Sequence, residues 1–225
     1  MSLILAFDLD DTLYDERTYV ESGLRAVADY GAARFGWDAD RSFARMVEIL
    51  DAEGRGTVFD RWLAGHGQSG KGLVAEAVRA YRHHRPHLSL SPDAAALLPR
   101  LRDHPLYLVT DGHKLVQQRK VEALGIAPLF HKVFITHRYG VHNAKPSLHC
   151  FERIRGLEKA DWRDIVYVGD NPAKDFVSLN AVGARTVRLV GGVHGGVEAR
   201  AGHEAQHRIH SLAALPEVLG LTLAD

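Results

Sequence analysis

The chain has 225 residues, of which 46% are hydrophobic and 25% are charged, as in ordinary globular proteins. Lysine plus arginine and aspartate plus glutamate both number 28, so the zero formal charge offers no electrostatic footprint for nucleic acid or an anionic membrane. No apolar run approaches the ~20 residues of a membrane span, no basic signal-peptide region opens the sequence, and the single cysteine, Cys150, excludes an intrachain disulfide. We expect a cytoplasmic protein with no nucleic-acid or membrane partner.

The first strand of the sequence ends in a cluster of polar residues. Leu3 to Phe7 is an apolar run without alternation, which predicts a strand buried on both faces of a parallel sheet. The run is followed at once by Asp8, Asp10, Asp11 and Thr12. Because ligands of open α/β sheets bind beyond the carboxyl ends of the strands, these carboxylates stand where chemistry is expected.

Residues 16–90 carry a helical pattern and no strand pattern. Apolar residues recur there at helical spacing in four segments, and glycine-rich breaks at 54–56 and 65–72 separate the later ones. The pattern predicts an all-helical domain over 16–90, inserted into a second domain formed by 1–15 and 91–225.

From residue 91 onward, strands and helices alternate. The predicted strands cover 105–109, 131–135, 165–168 and 186–190, with a short edge strand over 208–210. The predicted helices cover 113–124, a segment opened by Pro146, 172–182 and 212–219, and a loop is predicted over 191–206. Alternation of this kind implies right-handed crossovers and a parallel sheet. The predicted fold class is α/β, a Rossmann-like doubly wound parallel sheet core with the helical domain inserted.

Four short motifs occur in a fixed order along the chain. They are Asp8-Leu9-Asp10-Asp11-Thr12, then Thr110, then Lys145-Pro146, then Gly169-Asp170 with Asp175. This order resembles the haloacid dehalogenase (HAD) superfamily of hydrolases, in its phosphatase type. The resemblance implies that the helical insertion is a cap domain of the C1 type. The first motif, with Leu13-Tyr14 after it, is most similar to the branch of acylneuraminate-9-phosphate phosphatase and nucleotidase-like enzymes.

The two aspartates of the first motif are the expected catalytic pair. Asp8 is the candidate nucleophile, since a carboxylate can attack phosphorus and split one difficult displacement into two easier ones. Asp10 is the candidate acid and base, which protonates the leaving oxygen and then deprotonates the hydrolytic water. Dehalogenating members of the superfamily lack an aspartate at this second position and need no metal. Asp10 therefore favours phosphoryl transfer over cleavage of a carbon–halogen bond.

A magnesium site is expected beside this pair. Asp170 follows the fourth strand as Asp8 follows the first, and the strand order of the superfamily makes those two strands neighbours. Carboxylate oxygens suit Mg²⁺, and the resemblance implies that Asp8, the backbone carbonyl of Asp10 and Asp170 bind the ion. Asp175 and Thr12 are expected to support the site without binding the ion directly. Asp175 can also compensate the positive end of a helix dipole, because it lies near a helix N-terminus.

The phosphate group is expected to lie against the second and third motifs. Thr110 ends the second strand, and its hydroxyl with the backbone N–H groups of Asp111 and Gly112 forms a cradle at a helix N-terminus. Many relatives have asparagine where Asp111 stands, so its side chain is open to another role. The charge of Lys145 would offset the crowding of carboxylates and phosphate oxygens, which also makes it a catalytic candidate.

These motifs predict a Mg²⁺-dependent phosphatase that hydrolyses a small phosphoester, a sugar phosphate or nucleoside monophosphate, through an aspartyl phosphate. Three alternatives stay open at this point: a phosphomutase that uses the same aspartates, a receiver-type signalling module that accepts a phosphoryl group, and a binding protein that has lost catalysis. The basic residues of the helical insertion are either substrate contacts or a solvated face; they include Arg55, Arg61, Lys71, Arg82 and Arg85.

Overall fold

The computed structural model describes residues 3–224, and these residues divide into two compact units. The first unit holds the described residues up to Glu16 together with those from Leu88 onward, and the second holds Arg17–His87. In both units no described helix is long and apolar enough to cross a membrane.

The helices and strands follow one another in a regular order. The strands are β1 Ile4–Phe7, β2 Leu106–Thr110, β3 Lys132–Ile135, β4 Ile165–Gly169, β5 Arg185–Leu189 and β6 His207–Ile209. The α-helices are α1 Glu16–Phe35, α2 Ala39–Glu53, α3 Val58–Gly65, α4 Lys71–His83, α5 Pro92–Leu97, α6 Lys114–Leu124, α7 His149–Glu158, α8 Val177–Ala181 and α9 Leu215–Leu219. Short 3₁₀ turns join several of them.

The first unit is built on a parallel sheet of six strands in the order β3-β2-β1-β4-β5-β6. This arrangement confirms the predicted Rossmann-like α/β class. The apolar run of β1 is buried on both faces because the strand lies between β2 and β4. Phe7 stands opposite Leu108 on one side and opposite Val168 on the other. Residues that follow β1 are therefore flanked by the ends of β2 and β4.

Two predicted helices of this unit were wrong in extent. Pro146 does not open a helix: the Lys145–Pro146 peptide is cis, and α7 begins at His149. The backbone N–H of Lys145 is held by Asp111 Oδ1 at 3.1 Å, and Ser147 N–H donates to the carbonyl of Ala144 at 2.9 Å. These bonds close a turn in place of the first helical turn.

The helix predicted over 172–182 is reduced to α8. The Asn171 side chain accepts a hydrogen bond from Ala173 N–H at 2.9 Å, and its carbonyl accepts one from Asp175 N–H at 3.0 Å. An asparagine that bonds its own downstream backbone in this way favours a turn over a helix. The helix therefore starts only at Val177.

The second unit is helical throughout, with α2, α3, α4 and most of α1 around an apolar core. Trp62 is fully buried in that core. A Cβ atom at Gly31 would lie 2.7 Å from the Trp62 ring, so α1 carries a glycine where the indole packs against its backbone. Asp38 caps α2 by accepting a hydrogen bond from Arg41 N–H at 2.8 Å. Packing of large apolar side chains therefore stabilises this unit.

Candidate active site

Three buried carboxylates meet at the carboxyl edge of the sheet. The backbone of Asp8 continues the ladder from β1, since its N–H donates to the carbonyl of Val168 at 2.8 Å. Asp170 comes directly after β4, the strand beside β1. One oxygen each from Asp8, Asp170 and Asp175 lie within 4.8 Å of one another. The sheet thus brings together carboxylates that are up to 167 positions apart in the numbering of the chain.

Lys145 supplies the positive charge at this cluster. Its ammonium nitrogen lies 2.9 Å from Asp8 Oδ1 and 2.8 Å from Asp175 Oδ1, and it donates to the Tyr167 hydroxyl at 2.8 Å. The Lys145 side chain is 1% exposed, so water contributes little to its solvation. Buried charges are tolerated only when they are paired and hydrogen-bonded, as this one is.

The pKa values in the cluster differ from those of exposed carboxyls. Burial raises the pKa of Asp8 to about 6, while Lys145 opposes and Asp175 adds to the rise. Burial, together with the charges of Asp8 and Asp175, raises the pKa of Asp170 to about 8. Burial acts to lower the pKa of Lys145, but Asp175 and Asp8 outweigh it and hold that pKa well above 10.5. At both Asp8 and Asp170 burial disfavours the ionised form, while the ammonium group of Lys145, 2.9 Å from Asp8 Oδ1, favours it.

Gly169 makes room for Asp175 beside β4. A Cβ atom at this glycine would lie 2.6 Å from Asp175 Oδ2 and 3.0 Å from its carboxyl carbon. The same Oδ2 accepts a hydrogen bond from Asn171 N–H at 2.9 Å, which fixes the carboxylate against the strand. A larger residue at position 169 would push Asp175 out of the cluster.

Asp10 is not one of the three clustered carboxylates and has its own set of donors. Its Oδ1 accepts hydrogen bonds from the Tyr14 hydroxyl at 2.6 Å and from Lys120 Nζ at 2.8 Å. Its Oδ2 accepts one from Gln117 Nε2 at 3.0 Å. The Asp10 side chain is 22% exposed, against 5% for Asp8. The second aspartate of the motif is thus the one that water can reach.

Thr110 ends β2 at the same edge of the sheet. Its side chain is buried, and its Oγ1 lies 2.6 Å from Gln117 Nε2, the nitrogen that also reaches Asp10. Gly112 has a φ of 135°, and a Cβ there would lie 3.2 Å from two carbons of Gln117. Gly112, two positions after Thr110, therefore leaves space for the Gln117 side chain beside Thr110.

The Asp111 side chain is bound on both of its oxygens. Its Oδ1 accepts hydrogen bonds from Thr136 Oγ1 at 2.7 Å and from Lys145 N–H at 3.1 Å, and Lys174 Nζ lies 3.2 Å from its Oδ2. Burial acts to raise the pKa of Asp111, but the charges of Lys145 and Lys174 outweigh it and hold that pKa below its usual value. This carboxylate ties the loops after β2, β3 and β4 together.

Two further residues of the first motif take structural positions. Thr12 is 2% exposed, its N–H donates to the Leu9 carbonyl at 3.3 Å, and its Oγ1 has no hydrogen-bond partner in the described part of the chain. Asp11 has a positive φ of 52°, and its Oδ1 accepts a hydrogen bond from Glu16 N–H at 2.9 Å, where α1 begins. Burial raises the pKa of Asp11.

Sequence reasoning missed the residues that surround the motif side chains. They are Tyr14 as a partner of Asp10, with Gln117, Lys120, Thr136, Tyr167 and Lys174. One signal for them exists: Gln117 and Lys120 are polar residues one turn apart on a helix that must bury a face against the sheet. Of the basic residues proposed as substrate contacts, Arg61 lies 2.9 Å from Glu53 within the helical unit.

Known proteins resemble the chain along nearly its whole length. It is 31% identical to the glyceraldehyde 3-phosphate phosphatase of Methanopyrus kandleri over 204 residues, which cover 86% of each chain. It is 29% identical to the glyceraldehyde 3-phosphate phosphatase of Methanocaldococcus jannaschii over 224 residues, which cover 96% of each chain.

Solved structures share the fold. A HAD phosphatase from Thermococcus onnurineus superposes with a TM-score of 0.62 at 25% identity, covering 97% of this chain and 98% of its own. The HAD-hydrolase YfnB from Bacillus subtilis, solved bound to magnesium, gives a TM-score of 0.70 at 18% identity, with 98% and 99% covered. The family model for haloacid dehalogenase-like hydrolases matches residues 4–183. The resemblance drawn from the four motifs is thereby confirmed, and the chain belongs to the haloacid dehalogenase-like hydrolases.

Proposed function

We propose that this protein is a Mg²⁺-dependent phosphatase that hydrolyses a small sugar phosphate, with glyceraldehyde 3-phosphate as the leading candidate. The observation that carries the proposal is the buried ion pair between Asp8 and Lys145. It lies next to Asp170 and Asp175, and Asp8 precedes Asp10 by two positions. A buried carboxylate whose ionised form is favoured by a neighbouring ammonium group can attack a phosphorus atom.

The reaction would run in two displacements. In the first, an Asp8 oxygen forms a bond to phosphorus while the bond from phosphorus to the sugar oxygen breaks, and Asp10 gives its proton to that oxygen. In the second, water attacks the aspartyl phosphate, Asp10 takes a proton from the water, and Asp8 is regenerated with release of inorganic phosphate. Lys145 offsets the negative charge that gathers around Asp8 as the phosphoryl group arrives.

The donor set of the cluster fits a hard divalent cation. All three side chains offer oxygen, and Mg²⁺ prefers oxygen ligands. With all three carboxyls ionised and Lys145 charged, the four side chains carry a net charge of −2, which a divalent cation would neutralise. Burial, together with the charges of Asp8 and Asp175, raises the pKa of Asp170, and a bound cation would favour its ionised form. Asp8 and Asp170 would hold the ion, with the carbonyl of Asp10 beside them and Asp175 and Thr12 further out. The bound ion would supply charge neutralisation for the phosphoryl group.

The choice of substrate rests on the curated relatives. Both relatives described above carry the name glyceraldehyde 3-phosphate phosphatase. A triose phosphate falls within the sugar phosphates predicted from the sequence. The same names favour hydrolysis over the phosphomutase alternative. A receiver module would carry its accepting aspartate at the end of β3, but the residue after β3 is Thr136, which argues against that alternative.

The test is release of inorganic phosphate from a panel of phosphoesters by the full-length protein. The panel contains glyceraldehyde 3-phosphate, glycerol 3-phosphate, fructose 6-phosphate, adenosine monophosphate and p-nitrophenyl phosphate, each with Mg²⁺ and with EDTA. We expect release that EDTA abolishes and that is fastest with glyceraldehyde 3-phosphate. Release that persists in EDTA would overturn the metal assignment, and no release from any ester would overturn the reaction.

A further inference from the structure

We propose that Lys120 is a positioning residue for the general acid, which holds Asp10 with its Oδ2 turned toward the leaving group. The inference rests on the proposed function, in which Asp10 protonates the leaving oxygen. Lys120 stands in α6, and its Nζ lies 2.8 Å from Asp10 Oδ1, a contact between residues 110 positions apart. Its side chain is 3% exposed.

The donors around Asp10 are divided unequally between its two oxygens. Oδ1 accepts from the Tyr14 hydroxyl at 2.6 Å and from Lys120, which together occupy the two lone pairs of that oxygen. Among residues 3–224, Oδ2 accepts a single hydrogen bond, from Gln117 at 3.0 Å. Oδ1 is therefore fixed as an acceptor, and Oδ2 is the oxygen with room for a proton and for a leaving group.

Gln117 indicates the direction in which Oδ2 points. The Gln117 nitrogen that contacts Oδ2 also lies 2.6 Å from Thr110 Oγ1, the hydroxyl expected to bind phosphate. The oxygen that Lys120 leaves open is thus on the Thr110 side of Asp10, where the scissile ester would lie. Fixing the carboxyl in this orientation before reaction removes a rotational cost from the transition state.

A second carboxylate keeps Lys120 in place. Glu16 Oε1 lies 3.1 Å from Lys120 Nζ, and the Glu16 side chain is 16% exposed. Lys120 is therefore held between Glu16 and Asp10, both in the first unit. A buried lysine held by two carboxylates keeps its ammonium group in one position, as a positioning role requires.

The test compares two esters that differ in their need for an acid. The leaving group of glyceraldehyde 3-phosphate is an alkoxide that must be protonated, whereas that of p-nitrophenyl phosphate is p-nitrophenolate, a stable anion that needs no proton. In Lys120→Met, a side chain of similar length without charge, we expect kcat/KM for glyceraldehyde 3-phosphate to fall about 10- to 100-fold. We expect kcat/KM for the aryl ester to fall less than about threefold. The full-length protein with Mg²⁺ is used throughout.

Three further variants make the result decisive. Asp10→Asn sets the largest leaving-group effect that loss of the acid can produce. Tyr14→Phe removes the other donor to Oδ1 without changing the shape of the side chain, and we expect the same change in the ratio of the two kcat/KM values at smaller size. This variant decides the question if Lys120→Met does not fold. Lys132→Met, an exposed lysine at the opposite end of the sheet where β3 starts, should leave both values unchanged.

An equal fall for both esters in folded Lys120→Met and Tyr14→Phe, or no fall in either, would overturn the positioning role. That outcome differs from failure of the proposed function, in which the wild-type protein itself shows no metal-dependent release from either ester.

Discussion

The two units of the chain use charge in opposite ways. In the sheet unit, Lys145 and Asp175 form an ion pair in which both side chains are nearly inaccessible to water. In the helical unit, the ion pair between Arg25 and Asp40 lies at the surface, with the Asp40 side chain 91% exposed. The interior of the helical unit is instead apolar, with Trp62 among its fully buried residues.

The difference separates interactions that stabilise from interactions that perform chemistry. Burying charge costs several kcal/mol per ion before pairing is counted, so apolar packing is the cheaper way to build a core. The sheet unit nevertheless buries a group of charges where β1 and β4 end, an arrangement that stabilises the fold less well than apolar side chains of similar volume would. The reward is electrostatic, because charges in a water-poor site act more strongly on a reacting group. Removing a buried charge should therefore change activity, and removing a surface charge should change little.

The largest effect is expected at Asp8, the proposed nucleophile. Asp8→Asn replaces the carboxylate that we propose attacks phosphorus by an amide, so phosphate release should fall on the order of 10³-fold or more. The melting temperature of the metal-free protein should not fall, because burial penalises this carboxylate, as its raised pKa shows. Phosphate release with Mg²⁺ and thermal unfolding in EDTA measure the two quantities. Activity close to that of wild type would remove Asp8 from the mechanism.

Trp62→Ala tests the opposite kind of site. Truncating this fully buried indole should destabilise the helical unit by about 3–5 kcal/mol, because a large cavity forms against Gly31 and the neighbouring helices. Urea unfolding followed by far-UV circular dichroism measures the loss. Trp62→Phe is the control, since it keeps an aromatic ring and should lose less than half as much. A loss below about 1 kcal/mol would show that packing around Trp62 is not what stabilises this unit.

Stability of the metal-free protein should depend on pH through the carboxylate cluster. The pKa of Asp8 is about 6 and that of Asp170 about 8 in the folded chain, against 3.8 for an ordinary aspartate. Between these limits the folded protein holds protons that the unfolded chain has lost, so stability should fall as pH rises from about 4 to about 8. A loss of about 2 kcal/mol or more is expected between pH 5 and pH 8 in EDTA.

Millimolar Mg²⁺ should flatten this pH dependence, since the cation favours the ionised carboxylates in the folded state. Asp170→Asn in EDTA should flatten it as well, because the group with the highest pKa of the pair is gone. Urea midpoints at several pH values provide the measurement. A stability that rises with pH over the same range in metal-free wild-type protein would contradict the assignment of the shifts.

The sequence predicted most of the framework on which this site is built. Uninterrupted apolar runs identify buried parallel strands. The strand order implied by the family resemblance placed Asp8 and Asp170 after neighbouring strands, which the pairing of β1 with β4 confirms. The prediction that Pro146 opens a helix was wrong, because a proline favours the first position of a helix as well as a turn. The hydrogen bond from Lys145 N–H to Asp111, residues 34 apart, decides against a helix there.

The partners of Asp10 could not be assigned from the sequence, although Gln117 and Lys120 stand one turn apart in α6. The contact with Lys120 depends on the rotation of α6 about its axis and on the distance of that helix from the sheet. Neither is encoded in a local pattern, since Gln117 and Lys120 are also common residues of a solvated helix face. Side-chain geometry that joins distant segments appears only when the packing of the whole sheet unit is known.

The smallest effect is expected at the surface of the helical unit. Asp40→Asn removes the partner of Arg25 but leaves an exposed polar side chain in the first turn of α2. Exposed pairs contribute little because water screens them and two long side chains must be ordered, so the urea midpoint should correspond to a loss below about 0.5 kcal/mol. Phosphate release should be unchanged. A loss of stability above about 1 kcal/mol would contradict the contrast between the two units, because it would mean that surface charge in the helical unit also stabilises the fold. A fall in phosphate release as large as that caused by removing a buried charge would contradict it as well, because the surface charge would then act on the reaction.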